Sequence, residues 1–124
     1  MVNKINKMKV IEGYNVQIWV GLKECYNNGK IHTIEDVYNI CDEFVEEKKD
    51  CVSVTKTSFR YVGGFEDGVV VGYINYPRFP REKSDIKNRA LALAKKLMID
   101  LNQYKVTVTT PESSFMLENE KVKI

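Results

Sequence analysis

The chain has 124 residues, 44% of them hydrophobic and 29% charged, with a formal net charge of +2. That length fits a single domain with one ordinary core, and the composition is not that of a disordered chain. So small a basic excess argues against a general grip on nucleic acid. Three cysteines, Cys25, Cys41 and Cys51, with no CxxC or Cys/His spacing, argue against a disulfide framework or a zinc site and favour a reducing compartment. The basic N-terminus is followed by no apolar run and no segment has the length to span a bilayer, so neither a signal peptide nor a membrane partner is expected.

Residues 1–12 read as an arm or short strand closed by Gly13. Tyr14 to Tyr26 alternates as a strand, with Val16, Ile18, Val20 and Leu22 on one face and Gln17, Trp19, Gly21 and Lys23 on the other. Asn27 to Lys30 is a turn. Thr33 opens a helix whose apolar stripe is Ile34, Val37, Tyr38, Cys41, Phe44 and Val45, with the acidic residues on a solvated face and cations near its end at Lys48 and Lys49. Cys51 to Val62 is strand-like, Gly63 to Gly68 a hairpin connection, and Val69 to Tyr76 the returning strand. Pro77-Arg78-Phe79-Pro80-Arg81 then leads into a helix from about Ser84 to Asn102, with Ile86, Ala90, Leu93, Ala94, Leu97 and Leu101 inward. Tyr104 to Thr110 is the last central strand, and Ser114 to Glu118 a short edge strand before a charged tail over 119–124. The order β-α-β-β-α-β predicts an α+β, ferredoxin-like domain. Its two helices cover one face of an antiparallel sheet, and short extra strands stand at the ends. Gly21 and Gly72 inside strands mark a close approach by a ligand or another backbone, and Trp19 among polar neighbours marks a covered surface.

Catalytic motifs are missing from the sequence. His32 is the only histidine and reads as a surface residue near a helix start; no HExxH, GxSxG, Walker loop or GxGxxG occurs. The expectation is therefore a binding protein, not an enzyme, with no metal and no cofactor. Binding centres on the proline-stiffened connector. Arg78 and Arg81 offer forks for phosphate, Phe79 a face for a base, and the helix start a positive end. Asn88 lies about a turn into that helix, Arg60 late in the hairpin's first strand, and Thr107, Thr109 and Thr110 offer hydroxyls to a ribose.

With Trp19 in the first main strand, Phe79 in the connector and Asn88 four residues into the following helix, the chain resembles the phage anti-Thoeris family of signal sponges. The resemblance implies sequestration of a cyclic ADP-ribose isomer without degradation, inhibition of TIR-based immunity, and residence in the host cytoplasm. It also implies a homodimer or higher homo-oligomer with recesses between subunits. In it Phe79 would stack on adenine, Arg60 would take the opposite plane, and Trp19 and Asn88 would line the same recess. Two other classes stay open: an RRM-like single-stranded RNA binder using Phe59, Tyr61 and Tyr73 as platforms, and a structural or regulatory dimer with Trp19 in its interface.

Overall fold

The computed structural model describes residues 6–24 and 29–121. Its elements are β1 (Asn15–Gly21), α1 (Ile34–Lys48), β2 (Ser53–Tyr61), β3 (Gly64–Ile74), α2 (Lys83–Asp100), β4 (Lys105–Thr109) and β5 (Ser114–Glu118). The five strands form one antiparallel sheet in the order β2-β3-β1-β4-β5, with α1 and α2 on one face. This is the expected ferredoxin-like arrangement with one strand added at the C-terminal edge. The extra strand expected within residues 1–12 is not formed by the described part of that arm, 6–12, which has no regular structure. The Asn27–Lys30 turn lies partly outside the described residues, as does Cys25.

Alternation fixes which side of each strand meets the helices. Val16, Ile18 and Val20 of β1, Val69, Val71 and Tyr73 of β3, and Val106 and Val108 of β4 are buried beneath α1 and α2. From α2, Ile86, Ala90, Leu93, Ala94, Leu97 and Met98 close over them, and from α1, Val37, Cys41 and Phe44. Each fully buried Val, Leu or Ile side chain here contributes roughly 1.5–3 kcal/mol of transfer free energy. Tyr38, expected in the α1 stripe, lies at its margin and is exposed.

Thr33 starts α1 through a capping box. Its hydroxyl accepts from Asp36 N, and Asp36 Oδ2 accepts from Thr33 N at 3.0 Å. That backbone hydrogen bond, foremost, holds the Asp36 carboxyl below its usual range. Lys49 ends the helix in the left-handed conformation with φ 57°. His32 is better enclosed than a surface histidine. Its Nε2 lies 2.6 Å from Glu24 Oε2 and its Nδ1 3.3 Å from Asp36 Oδ2, which ties the end of the first strand region to the start of α1.

The hairpin departs from its sequence reading. Tyr61 pairs with Gly64, so the connection is the two residues Val62 and Gly63, and Gly63 supplies the positive φ of 86°. The Asp67-Gly68 pair is not a turn: Gly68 sits inside β3 opposite Gly21 and Thr57. Consequently β2 and β3 run on as a two-stranded ribbon beyond the end of β1.

Candidate functional site

Among the described residues no helix covers the sheet's second face. The register of β1 with β3 and β4 puts Trp19 between Val70 and Thr107, and Gln17 between Gly72 and Thr109. Trp19 Nε1 donates to Thr109 Oγ1 at 3.0 Å, which fixes the indole across the strands. Trp19, Thr107 and Thr109 are thus brought together, as their spacing predicts. Thr110 is not part of this group. Its hydroxyl accepts from Glu112 N and Ser113 N and shapes the β4–β5 turn.

Two strand glycines clear the floor beside Trp19. A methyl group on Gly21 would collide with the Glu66 carboxylate, and one on Gly68 would collide with the Phe59 ring and press to 2.6 Å from Val20 O. Glycine at these positions lets Glu66 lie back over β1 and lets Phe59 lie flat on β3. Glu66 Oε2 accepts from Lys23 N at 3.2 Å. Behind it, Gln103 is buried where α2 leads into β4, with 5% of its surface exposed. The result is a shallow concavity of about 310 Å³ lined by Trp19, Phe59, Glu66, Gln103, Tyr104 and Thr107, among others. Aromatic walls, a carboxylate and a buried carboxamide meet there. Lys105 lies at its edge, 3.8 Å from Glu118 and over the Tyr104 ring, and the Lys23 side chain runs along Gly29. The lining thus mixes one carboxylate and two lysines with aromatic faces, so a flat ring can stack there while a cationic group of the same ligand meets Glu66.

The connector is arranged differently from its expected role. A hollow of about 200 Å³ does lie there, lined by Tyr73, Tyr76, Phe79, Arg81, Arg89 and Asp50 among others. Its cations are already engaged. Asp50, with 4% of its side chain exposed, accepts from Arg81 Nη1 at 3.3 Å, from Arg89 Nη1 at 3.0 Å and from the Tyr73 hydroxyl at 3.0 Å. Arg81 also donates to Lys49 O and lies 3.8 Å from Asp85. Desolvation, then the Asp50 charge, pushes the Tyr73 phenol well above its ordinary range. This knot welds the end of α1 to the start of α2 and leaves Arg81 no free fork for phosphate. Arg78 covers the exposed Phe79 ring at 5.3 Å instead of flanking a guest.

Topology sets three further groups of expected residues apart within one chain. Arg60 lies over Phe65 at 4.8 Å near the ribbon tip, whereas Phe79 follows the far end of β3. Nine residues of strand, at ~3.3 Å each, separate those ends, so the two cannot sandwich one adenine within a chain. Asn88 is exposed on α2, on the side of the sheet opposite Trp19, and does not share its recess. Tyr73 points into the core and cannot serve as a platform beside Phe59 and Tyr61. Among the described residues no group of three or more His, Cys, Asp and Glu is placed to hold a metal ion, and no helix is long and apolar enough to cross a membrane.

Glu66, Phe59 and Gln103 are the site residues that the connector-centred reading passes over. Phe59 appears there only as an RNA platform, and Glu66 falls in the presumed hairpin loop. The signal for them was Gly21: a strand glycine opposite a second glycine implies side chains that need the space.

No protein-family model matches the chain, and no curated protein matches it. Among solved structures it is similar to a phage SAM lyase in its apo state, with a TM-score of 0.76 and 22% identity over 95% of this chain and 100% of that one. It is also similar to a phage SAM lyase in complex with S-methyl-5′-thioadenosine, with a TM-score of 0.73 and 20% identity over 97% of this chain and 100% of that one. The shared feature is the fold, down to its full length. The likeness is to a phage protein, but to a SAM lyase and not to a sponge of the anti-Thoeris family. The expectation that the chain is not an enzyme is accordingly corrected, because the fold it shares end to end is that of a lyase.

Proposed function

We propose that the chain binds a sulfonium nucleoside, S-adenosylmethionine, on the open sheet face and splits it as a lyase, releasing S-methyl-5′-thioadenosine. The observation that carries this reading is the meeting of the Glu66 carboxylate with the Trp19 and Phe59 rings on a glycine-cleared patch of sheet, in a fold shared with SAM lyases. Stacking of adenine on either ring supplies ~1–3 kcal/mol. Glu66 and the aromatic faces favour the positive charge of the substrate. In the reaction the bond from sulfur to the carbon chain breaks and its electron pair passes to sulfur, so methylthioadenosine leaves neutral. As sulfur leaves, a carboxylate oxygen of the substrate's own four-carbon arm bonds to that carbon and closes a five-membered lactone, so no water enters and no proton is transferred. Glu66 holds the substrate in place for this step. Depletion of a methyl donor in an infected cell is one route to an anti-defence role.

The test is incubation of the purified chain with S-adenosylmethionine, followed by chromatography. Methylthioadenosine should accumulate in proportion to protein and fall at least tenfold with Glu66→Gln. Unchanged substrate, with no heat of binding in titration, overturns the reading. The narrower expectation of a cyclic ADP-ribose ligand is tested by titration with that nucleotide in its place. Its residues Phe79, Arg60 and Asn88 stand apart in the fold, so binding that depends on Phe79 but not on Phe59 would be needed to favour it.

A further inference from the structure

We infer that Gln103 seats the ammonium group of the substrate's amino-acid arm, bridging it to Glu66. The inference rests on the proposed function and assigns a specificity-determining residue within the same concavity. Gln103 follows α2, where Asn102 turns the chain with φ 52° and Gln103 N donates to Met98 O. Its carboxamide is oriented by chemistry. Nε2 donates to Lys23 O and to Leu101 O, both at 3.2 Å, and only the –NH₂ end can satisfy two carbonyls. The oxygen must therefore face the other way. It points at the space over Gly21, 3.3 Å from where a Cβ would stand, and the Glu66 carboxylate reaches the same space.

Among the described residues Oε1 accepts no hydrogen bond, although the residue is only 5% exposed. A side chain wanted only to tie down two carbonyls has no reason to present a buried acceptor to a carboxylate. Buried acceptors are ordinarily paired; Glu66 Oε2 already accepts from Lys23 N, so Gln103 Oε1 is the acceptor left for a donor from outside, and the carboxylate beside it favours a charged one. Lys23 and Lys105 also line the concavity, but the Lys23 side chain runs along Gly29 and Lys105 Nζ lies 3.8 Å from Glu118. A ligand entering the concavity can supply that donor. A sulfonium has no N–H, whereas the α-ammonium of S-adenosylmethionine has three and can meet both oxygens at once. Seated there, it leaves the adenosyl group to the aromatic walls.

Trp19 is the only tryptophan of the chain and lines the concavity, so its fluorescence reports binding directly. The probes are S-adenosylhomocysteine, which carries the ammonium on an unreactive thioether, methylthioadenosine, which lacks the whole arm, and 4-(adenosylthio)butyrate, which lacks only the amine. The wild type should bind S-adenosylhomocysteine at least tenfold more tightly than the deaminated analogue. Gln103→Met should abolish that preference and leave methylthioadenosine within twofold of wild type. Equal losses for all three probes in the variant mean a structural role and overturn the seat. So does a variant that behaves as wild type, or a wild type indifferent to the amine, a result that needs no variant to fold. A wild type that binds none of the probes overturns the functional reading beneath it, which separates the two failures.

Discussion

At the scale of single residues, the site depends on what is left out at Gly21. An added methyl would meet the tip of Glu66, a flexible side chain that can swing aside, and would touch no backbone atom closely. Gly21→Ala should therefore displace the carboxylate at little cost to the fold. The expected outcome is a loss of the proposed lyase activity of tenfold or more, with Tm within a few degrees of wild type. An equal fall in both would mean that the glycine serves folding alone. Cys41 provides a second residue-scale prediction, this one in the core. Burial, then the Asp42 charge, pushes its thiol from 9.0 up to about 11. A folded-state pKa above the unfolded value means that the stabilisation is complete below pH 9 and disappears as pH rises toward 11, because the unfolded chain loses its proton first. Urea melts should show stability falling by up to ~1.4 kcal/mol per pH unit from this group over that window. In Cys41→Ala the alkaline slope should be shallower, even though the variant starts from a lower stability.

At the scale of elements, the knot around Asp50 fixes how α1 and α2 meet. Asp50→Asn keeps the volume but removes the charge that both guanidiniums and Tyr73 share. Breaking a fully buried pair costs ~3–5 kcal/mol; because Arg81 and Arg89 keep nearly a third of their exposure, about 2 kcal/mol is expected in chemical denaturation. Substrate turnover should survive, since the knot lies across the sheet from Trp19. The helices, the central strands and the edge strand were legible in the sequence because each rests on a local period. The α2 stripe and the inward Val106 and Val108 follow directly from it. The ribbon was not legible in this way. Asp67-Gly68 has turn chemistry, but the glycine is there to admit the Phe59 ring, a contact between residues nine apart that no local pattern encodes. That misreading hid Glu66 in a supposed loop. The connector failed for a related reason: its arginines look free until Asp50, thirty-one residues before Arg81, is folded against them. Trp19 with Thr107 and Thr109 was legible because alternation alone assigns their face.

At the scale of the whole molecule, the two sides of the sheet are unequal. One is closed by helices, while the other leaves the concavity open to one side. The β2–β3 ribbon extends past β1 with Tyr61, Val62 and Phe65 exposed, and Met116 stands exposed on β5. A two-stranded ribbon bearing apolar residues is marginally stable in water on its own, and exposed apolar groups of this kind suit burial by a partner. A second copy of the chain is the partner the sequence reading anticipates. Light scattering on the eluting peak should give an integer multiple, two or more, of the 14.4 kDa chain mass. Phe65→Ser combined with Val62→Ser should shift that peak toward the single-chain mass without lowering helix content, because neither residue touches the core. If the site borders that contact, turnover per chain should also fall on dilution in parallel with the mass. A peak that stays at the single-chain mass, at concentrations where turnover per chain is full, would mean that the ribbon is ordered by its own hydrogen bonds and that one chain suffices for catalysis.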